Sequence, residues 1–461
     1  MPEKKKPYKF QEDGIDLIHK WKKCIVGDPP GLGKTITSTV AIDRVDAYPL
    51  LVICPATLKP NWKIEFEDWT GKNAMILNDS IKNTFPILYR SGLAQAFIIN
   101  YESLAKYFVY SMPKDRKHMK LKDIVFNSNI NLFKSVIFDE GHRAKEPDAI
   151  QTKLVRGITK NKEYVLDLTG TPVLNTPHDL AAQFAIIDQI HHFGGYKNFL
   201  KLCDNPSQFN LDFINQQMTQ HCYFRREKKD VIELPAKTRQ KIIVEIDNKE
   251  EYRDAIKDLA NYLKEWKGKT DAEVMRSMRG EVMVKISVLK QISARGKIAA
   301  VMENVKDTMA SGEKIVLFGH HREVLDCFRE VEGAVFITGK EKTNERQASI
   351  ESFQNDPNTK ICVCSIQAAG VGVTLTKGRI NMYIEMGWHP AIMEQAEDRQ
   401  HRIGQDREVH CIYFLGNGTI DEWIYSLIEK KRDMSNAVLG RVEDIEWGVV
   451  EQVIELILND H

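Results

Sequence analysis

Short apolar runs alternate along most of the chain with longer stretches of mixed polarity. In the first half the runs are Cys24–Val26, Leu50–Cys54, Ala96–Asn100, Val136–Asp139 and Tyr164–Leu168. A second series comprises Lys314–Phe318, Ala334–Ile337, Ile361–Cys364, Ile380–Glu385 and His410–Phe414. Strand-length apolar runs separated by amphipathic stretches are the pattern of βαβ units and parallel sheets. Two series predict two α/β lobes in tandem. Between them, residues 178–222 and 248–310 read as mostly helical and polar. Lys267–Glu281 is charged and interrupted by Gly268 and Gly280, which predicts a turn between helices. After Ile420 the chain reads as helix to its end, with Trp423, Ile424, Leu427 and Ile428 on one apolar face. The lobe boundary is expected near 223–237, where Arg225-Arg226-Glu227-Lys228-Lys229 leads into Leu234-Pro235.

Composition narrows the class. The 461 residues leave room for more than one domain-sized core. Hydrophobic residues at 43% and charged residues at 28% are ordinary for a soluble globular protein. No run of about 18 or more apolar residues appears, so no membrane span is expected. The basic start, with Lys4 to Lys6, lacks the apolar region of a secretory signal and reads as a solvated tail. A net charge of +1 gives no vote for nucleic acid, although a local basic stripe is enough to hold phosphates. The eight cysteines are scattered, and Cys362-Val363-Cys364 reads as a buried strand rather than a metal or redox pair. That usage suits a reducing cytosol or nucleus.

Candidate chemistry is concentrated at the ends of predicted strands. Gly27-Asp28-Pro29-Pro30-Gly31-Leu32-Gly33-Lys34-Thr35 lies between a strand and a helix. Glycines let successive N–H groups face phosphate oxygens, and the helix N-terminus adds its positive end. In such a loop Lys34 reaches the β- and γ-phosphates and the Thr35 hydroxyl ligates Mg²⁺. The strict P-loop pattern has glycine where this chain has Asp28. Ser135–Asp139 is an apolar strand ending in Asp139-Glu140. Asp139 is placed to hold the hydration shell of Mg²⁺ and Glu140 to polarise an attacking water. The alternative is a surface turn with solvated acids. In Leu168-Thr169-Gly170-Thr171-Pro172 the hydroxyls are placed to bond the strand-end acids and to sense the γ-phosphate, although alone the segment is only a turn.

In the second series, Glu394–Gln405 predicts a helix with Gln395, Arg399 and Arg402 on one face. An arginine supplied across a cleft raises phosphoryl hydrolysis on the order of 10³-fold or more. The alternative is an exposed, salt-bridged helix.

Taken in order, these segments resemble the superfamily-two helicases, and within them the Swi/Snf-like ATPases. Phe10-Gln11 with Gly14 looks like the adenine-reading Q motif, and 28–35 like motif I, from which Pro29-Pro30 departs. Cys54–Leu58 with Asn61-Trp62 is similar to motif Ia, and Asn100-Tyr101-Glu102 to motif Ib. Asp139–His142 is a DEGH version of the DEAH box, and Leu168–Pro172 with Asn175 resembles motif III. Tyr223–Pro235 resembles the inter-lobe segment, and Phe318–His321 stands at motif IV. Ser365–Gly372 with Asn381 resembles motif V, and Gln395–Gln405 motif VI, closest to the annealing-helicase, fork-remodelling branch.

The resemblance implies two tandem RecA-like lobes with parallel sheets and helical protrusions. It divides the chain into 1–222, a first lobe with a protrusion at about 178–222, and 223–310, an inter-lobe segment with a protrusion of the second lobe. A second lobe at 311–440 and a C-terminal helix at 441–461 complete it. It implies ATP and Mg²⁺ at Gln11, Asp28, Pro29, Pro30, Gly31, Leu32, Gly33, Lys34, Thr35, Asp139, Glu140, Gly372, Arg399 and Arg402. It also implies double-stranded or branched DNA near Thr57, Asn61, Trp62, Asn100, Thr171, His321 and Thr374, and tracking without classical strand unwinding. Hydroxyls and amides hold phosphate without reading bases. Trp62 reads equally as a core tryptophan. A monomer is expected, working inside a cell, with the compact size favouring a prokaryotic or viral setting. An RNA or single-strand helicase and a DNA-binding module with weak ATPase are the competing readings. Intact Lys34, Asp139, Glu140, Arg399 and Arg402 argue against the module, and Asn61-Trp62 with His401–Gln405 against RNA.

Overall fold

The computed structural model describes residues 6–113, 119–144, 146–170, 178–204, 207–266, 272–366, 373–388, 390–434, 450, 452–455 and 457. The chain divides into two compact units, Met1–Glu233 and Leu234–His461.

In the first unit the strands are β1 (Lys23–Val26), β2 (Leu50–Cys54), β3 (Ala74–Ile76), β4 (Ala96–Asn100), β5 (Val109–Ser111), β6 (Val125–Phe126), β7 (Ser135–Asp139), β8 (Tyr164–Leu168) and β9 (Tyr223–Phe224). Seven form one sheet in the order β3-β4-β2-β7-β8-β1-β9. Every pairing in it is parallel. Parallel neighbours need crossovers, and the helices Lys34–Arg44, Lys59–Thr70 and Ile150–Thr159 supply them. Leu50–Cys54 is buried throughout, as a strand covered on both faces must be. β5 and β6 pair antiparallel outside that sheet.

The second unit contains β10 (Lys237–Val244), β11 (Ile315–Gly319), β12 (Ala334–Ile337), β13 (Ile361–Ser365), β14 (Ile380–Tyr383) and β15 (Val409–Gly416). Their order is β10-β15-β14-β11-β13-β12, again with parallel pairings. The two α/β units with parallel sheets therefore stand where the two apolar series predicted them. Cys362 and Cys364 are buried free thiols on β13.

Three expectations change. The division after Glu233 falls within the expected 223–237, but residues 223–233 join the first unit rather than an inter-lobe segment, because β9 pairs with β1 and extends that sheet. Gly280 does not break the chain: the helix Ala272–Gly296 runs through it. An interior glycine costs about 1 kcal/mol relative to alanine. Burial of Val282, Ile286 and Leu289 contributes roughly 1.5–3 kcal/mol each and outweighs it. The third change concerns the helix at 394–405, described below. The apolar face after Ile420 forms as read, with Ile424, Leu427 and Ile428 buried in the core of the second unit. Gly268, Thr171, Pro172, Asn175 and Gly372 lie outside the described residues, as does most of 441–461. No helix among the described residues is long and apolar enough to cross a membrane.

Candidate active site

Three adjacent strands end at one level. Val26 of β1, Leu168 of β8 and Asp139 of β7 are register partners across the sheet. The loop after β1, the Thr169-Gly170 turn after β8 and the Asp139-Glu140 pair therefore meet at the carboxyl edge, where parallel sheets bind ligands. Gly31 and Gly33 take φ of +92° and +77°, which turn the loop into the helix Lys34–Arg44. Lys34 Nζ donates to the Asp28 carbonyl at 2.7 Å. A β-carbon on Gly170 would lie 3.6 Å from Lys34 Nζ and 3.0 Å from Pro30 Cδ, so glycine there lets the two loops close on each other.

The Asp28 side chain points away from this cradle. It is fully buried and accepts from the Arg226 backbone N–H and from Nε, both at 3.0 Å. The Arg226 guanidinium stacks over Phe10 and Phe224, at 5.3 and 4.9 Å from the ring centres. Where the strict P-loop carries glycine, this chain thus carries an aspartate held by an arginine fork. Gln11 is also fully buried. Its Nε2 donates to the Leu32 carbonyl at 3.0 Å, and its Oε1 accepts the Tyr8 N–H at 3.0 Å. It braces the loop at the residue before Gly33.

Asp139 is held on both oxygens. Oδ2 accepts the Trp62 indole N–H at 2.8 Å, and Oδ1 accepts the Glu140 backbone N–H at 3.0 Å. Burial and the neighbouring Glu140 charge raise its pKa above the usual carboxylate range, while the Trp62 N–H and the Lys34 ammonium pull it back. Glu140 has a φ of +55°, a conformation costing about 1–2 kcal/mol for a residue with a side chain. That turn ends the strand directly after Asp139.

The donor set suits a magnesium-bound nucleotide. Thr35 and Asp139 offer oxygens, and no cluster of three or more His, Cys, Asp or Glu side chains forms a metal cage among the described residues. Mg²⁺ is held by one or two protein oxygens, water and substrate phosphates. When bound, it would neutralise charge developing on the phosphates. Around it, Lys34 and the loop N–H groups would bind phosphate oxygens, and Glu140 would be the group to orient a water.

In the second unit the helix Pro390–Glu397 stops before either arginine. The Arg399 carbonyl accepts the Leu375 N–H at 3.0 Å, and the Asp398–Gln400 turn follows instead of helix. The expected face of Gln395, Arg399 and Arg402 is therefore not formed. Arg399 is buried, at 6% exposure. Arg402 Nη1 donates to the Val373 carbonyl at 3.2 Å and to Thr374 Oγ1 at 2.8 Å. Glu397, fully buried, receives Arg239 through two bonds of 2.8 and 2.7 Å and the Tyr413 hydroxyl at 2.6 Å. It anchors the end of this helix, two residues before Arg399, to β10 and β15.

The family described as SNF2-related domain matches residues 11–296, more than half of the sequence. The chain belongs to the SNF2-related family. The helicase conserved C-terminal domain matches residues 296–404. The chain is 30% identical to human "DNA annealing helicase and endonuclease ZRANB3" over 95% of its own length and 41% of the relative's. It is 29% identical to the Caenorhabditis elegans "SWI/SNF-related matrix-associated actin-dependent regulator of chromatin subfamily A-like protein 1 homolog", over 94% of this chain and 61% of that one. The chain thus spans 41% and 61% of these two relatives. A solved Sulfolobus solfataricus SWI2/SNF2 ATPase core in complex with dsDNA aligns over 98% of this chain and 95% of that one, at 22% identity and a TM-score of 0.43. The annealing-helicase branch indicated by residues 395–405 is the one that the human relative's name carries. Those relatives are animal proteins, which lends no support to a prokaryotic or viral setting.

Within this SNF2-related chain, the segments expected beside DNA divide into two groups. Thr57 is exposed, Asn61 bonds Glu65 at 3.0 Å, and Asn100 accepts Lys59 Nζ at 3.3 Å. These follow β2 and β4, whose ends Cys54 and Asn100 are register partners. Trp62 is 1% exposed and spends its N–H on Asp139, which is the core alternative rather than a surface contact. In the second unit, His321 Nδ1 bonds Glu385 Oε1 at 2.5 Å, and its Nε2 lies 3.1 Å from Ser287 Oγ. Both His321 ring nitrogens are thereby engaged within the second unit.

Tyr101, Asp167, Arg226 and Glu397 complete these sites, and no role for them follows from the sequence. Arg226 stands in a charged run and in the stretch that resembles the inter-lobe segment. Asp167 carried one signal, a lone acid inside an apolar strand.

Proposed function

We propose that this chain is a magnesium-dependent ATP-hydrolysing motor that translocates on double-stranded or branched DNA. It remodels DNA structures or displaces bound proteins without classical strand unwinding. The observation that carries the hydrolytic part is the meeting of Lys34, Thr35, Asp139 and Glu140 at the ends of β1 and β7, with only β8 between them. Membership of the SNF2-related family and the names of its relatives support DNA as the track. Arg399 and Arg402 serve the hydrolytic step. Gln11, Asp28, Pro29, Pro30, Gly31, Leu32, Gly33 and Gly372 shape the nucleotide site. Thr57, Asn61, Asn100, Thr171, His321 and Thr374 lie along the DNA path. The working form is a monomer.

ATPase rates measured side by side with single-stranded, duplex and forked DNA and with RNA test this reading. Stimulation by duplex or forked DNA several-fold above RNA is expected. Equal stimulation by RNA would replace the DNA motor with an RNA helicase, and no turnover with any ligand would leave a binding module.

A further inference from the structure

Two aromatic side chains from different segments converge on Asp139. Trp62 stands in the helix Lys59–Thr70 after β2, and its indole N–H donates to Asp139 Oδ2 at 2.8 Å. Tyr101 follows β4, and its hydroxyl donates to the Asp139 backbone carbonyl at 2.8 Å. Each is 1% exposed. A buried indole or phenol must find an acceptor, but any nearby carbonyl would satisfy it. Here both bonds fall on one residue, the acid placed to hold the metal.

The same two segments carry Thr57, Asn61 and Asn100, and Lys59 Nζ to Asn100 Oδ1 at 3.3 Å ties one segment to the other. A carboxylate accepts about four hydrogen bonds. With Trp62 on one oxygen and the Glu140 N–H on the other, each Asp139 oxygen keeps room for a metal-bound water. The rotation of the carboxylate is therefore set by Trp62, and the height of its backbone by Tyr101.

We propose that Trp62 and Tyr101 are positioning residues that link DNA occupancy of the 57–61 and 100–102 segments to the placement of Asp139. The proposal rests on the DNA-motor reading above. A backbone contact that shifts either segment moves a donor attached to the metal-bearing acid, so DNA stimulation is transmitted through two bonds.

The test uses the full chain with Trp62→Phe and Tyr101→Phe. The second substitution removes only a hydroxyl and covers the case in which the first fails to fold. Calorimetric titration with a non-hydrolysable ATP analogue, with Mg²⁺ and with chelator, reads metal-dependent affinity apart from turnover. Anisotropy reads duplex affinity, and ATPase with and without duplex gives the stimulation ratio. The Mg²⁺-dependent gain in nucleotide affinity and the stimulation ratio are expected to fall about tenfold in Trp62→Phe, the scale of one bond to a charged group, and about fivefold in Tyr101→Phe, the scale of one bond to a neutral carbonyl. Duplex affinity stays within about twofold, the change expected when no DNA-contacting group is lost. A lower melting temperature with both ratios unchanged overturns the proposal and makes the two residues simple core. If the wild-type chain shows no stimulation by DNA, the DNA-motor reading fails and takes the coupling with it. The Mg²⁺-dependent affinity then still decides whether the two bonds position Asp139.

Discussion

Asp167 Oδ1 fills the space that a β-carbon on Gly141 would need: the two atoms would stand 1.7 Å apart. Asp167 lies in β8, is fully buried, and neither of its carboxylate oxygens has a hydrogen-bond partner among the described residues. Gly141 follows Glu140 directly and opens the short turn Gly141–Ala144. The glycine in this DEGH box is therefore explained by a side chain on the neighbouring strand. The alanine of a DEAH box has no room here.

Gly141→Ala is expected to destabilise the first unit by about 1–3 kcal/mol, the usual cost of overpacking, and to lower ATP turnover by displacing Glu140. Asp167→Ala in the same chain should restore most of both losses. Thermal unfolding and ATPase rates of the two single variants and the double variant form a cycle that isolates the pair. A double variant as impaired as Gly141→Ala alone would show that the obstruction comes from elsewhere.

Burial, and then the charges of Asp139 and Glu140, push the Asp167 pKa well above its ordinary 3.8. A raised carboxyl means that the folded state holds a proton which the unfolded state has released. Stability then falls as pH rises above 3.8, and it keeps falling until the folded-state pKa is passed. Asp167→Asn removes that slope. The variant should gain on the wild type by up to about 1.4 kcal/mol per pH unit across that window. Denaturant titrations between mildly acid and neutral pH read the difference, and parallel stability curves for the two proteins would refute it.

Arg226 and Asp28 form the most deeply buried ion pair of the nucleotide loop, with Asp28 at 0% side-chain exposure. Arg226→Ala leaves that carboxylate buried without its fork, and a loss on the order of 3 kcal/mol is expected. Nucleotide affinity should fall as well, because the Asp28 carbonyl holds Lys34. Arg226→Lys keeps the charge but not the fork, and should recover only part of both losses. Chemical denaturation with nucleotide titration checks this. A stability change below about 0.5 kcal/mol would mean that water relieves Asp28.

Lys34→Ala should abolish turnover while sparing DNA binding. Arg402→Ala should keep ATP binding and lose hydrolysis on the order of 10³-fold, the scale of a missing arginine at a transferring phosphoryl group. Single-turnover hydrolysis alongside nucleotide binding separates the two. Normal ATPase activity after Lys34→Ala would remove the loop from the active site, and an unchanged kcat after Arg402→Ala would make that arginine a structural strut for Val373 and Thr374.

Ten of the strands and the glycine-rich loop at 27–35 are legible in the sequence alone. Apolar runs report burial on both faces, and Gly31 and Gly33 report a backbone that only glycine adopts without strain. Both are short-range properties, written in neighbouring residues. What the sequence left open depends on strand order. Arg226 meets Asp28 across 198 positions and Trp62 meets Asp139 across 77, because β9 joins β1 at the sheet edge and β2 lies beside β7. Helical periodicity at 394–405 misplaces Arg399 and Arg402, since the Arg399 and Gln400 N–H groups bond three residues back in a turn and the Arg399 carbonyl pairs with the distant Leu375 N–H. β10 is not legible in the sequence because its exposed, charged edge hides the apolar alternation that marks a strand. Local pattern determined which chemistry the chain carries. Only the tertiary structure decided which side chains hold that chemistry in place, because a buried donor, acceptor or charge takes its partner from whichever strand packs beside it.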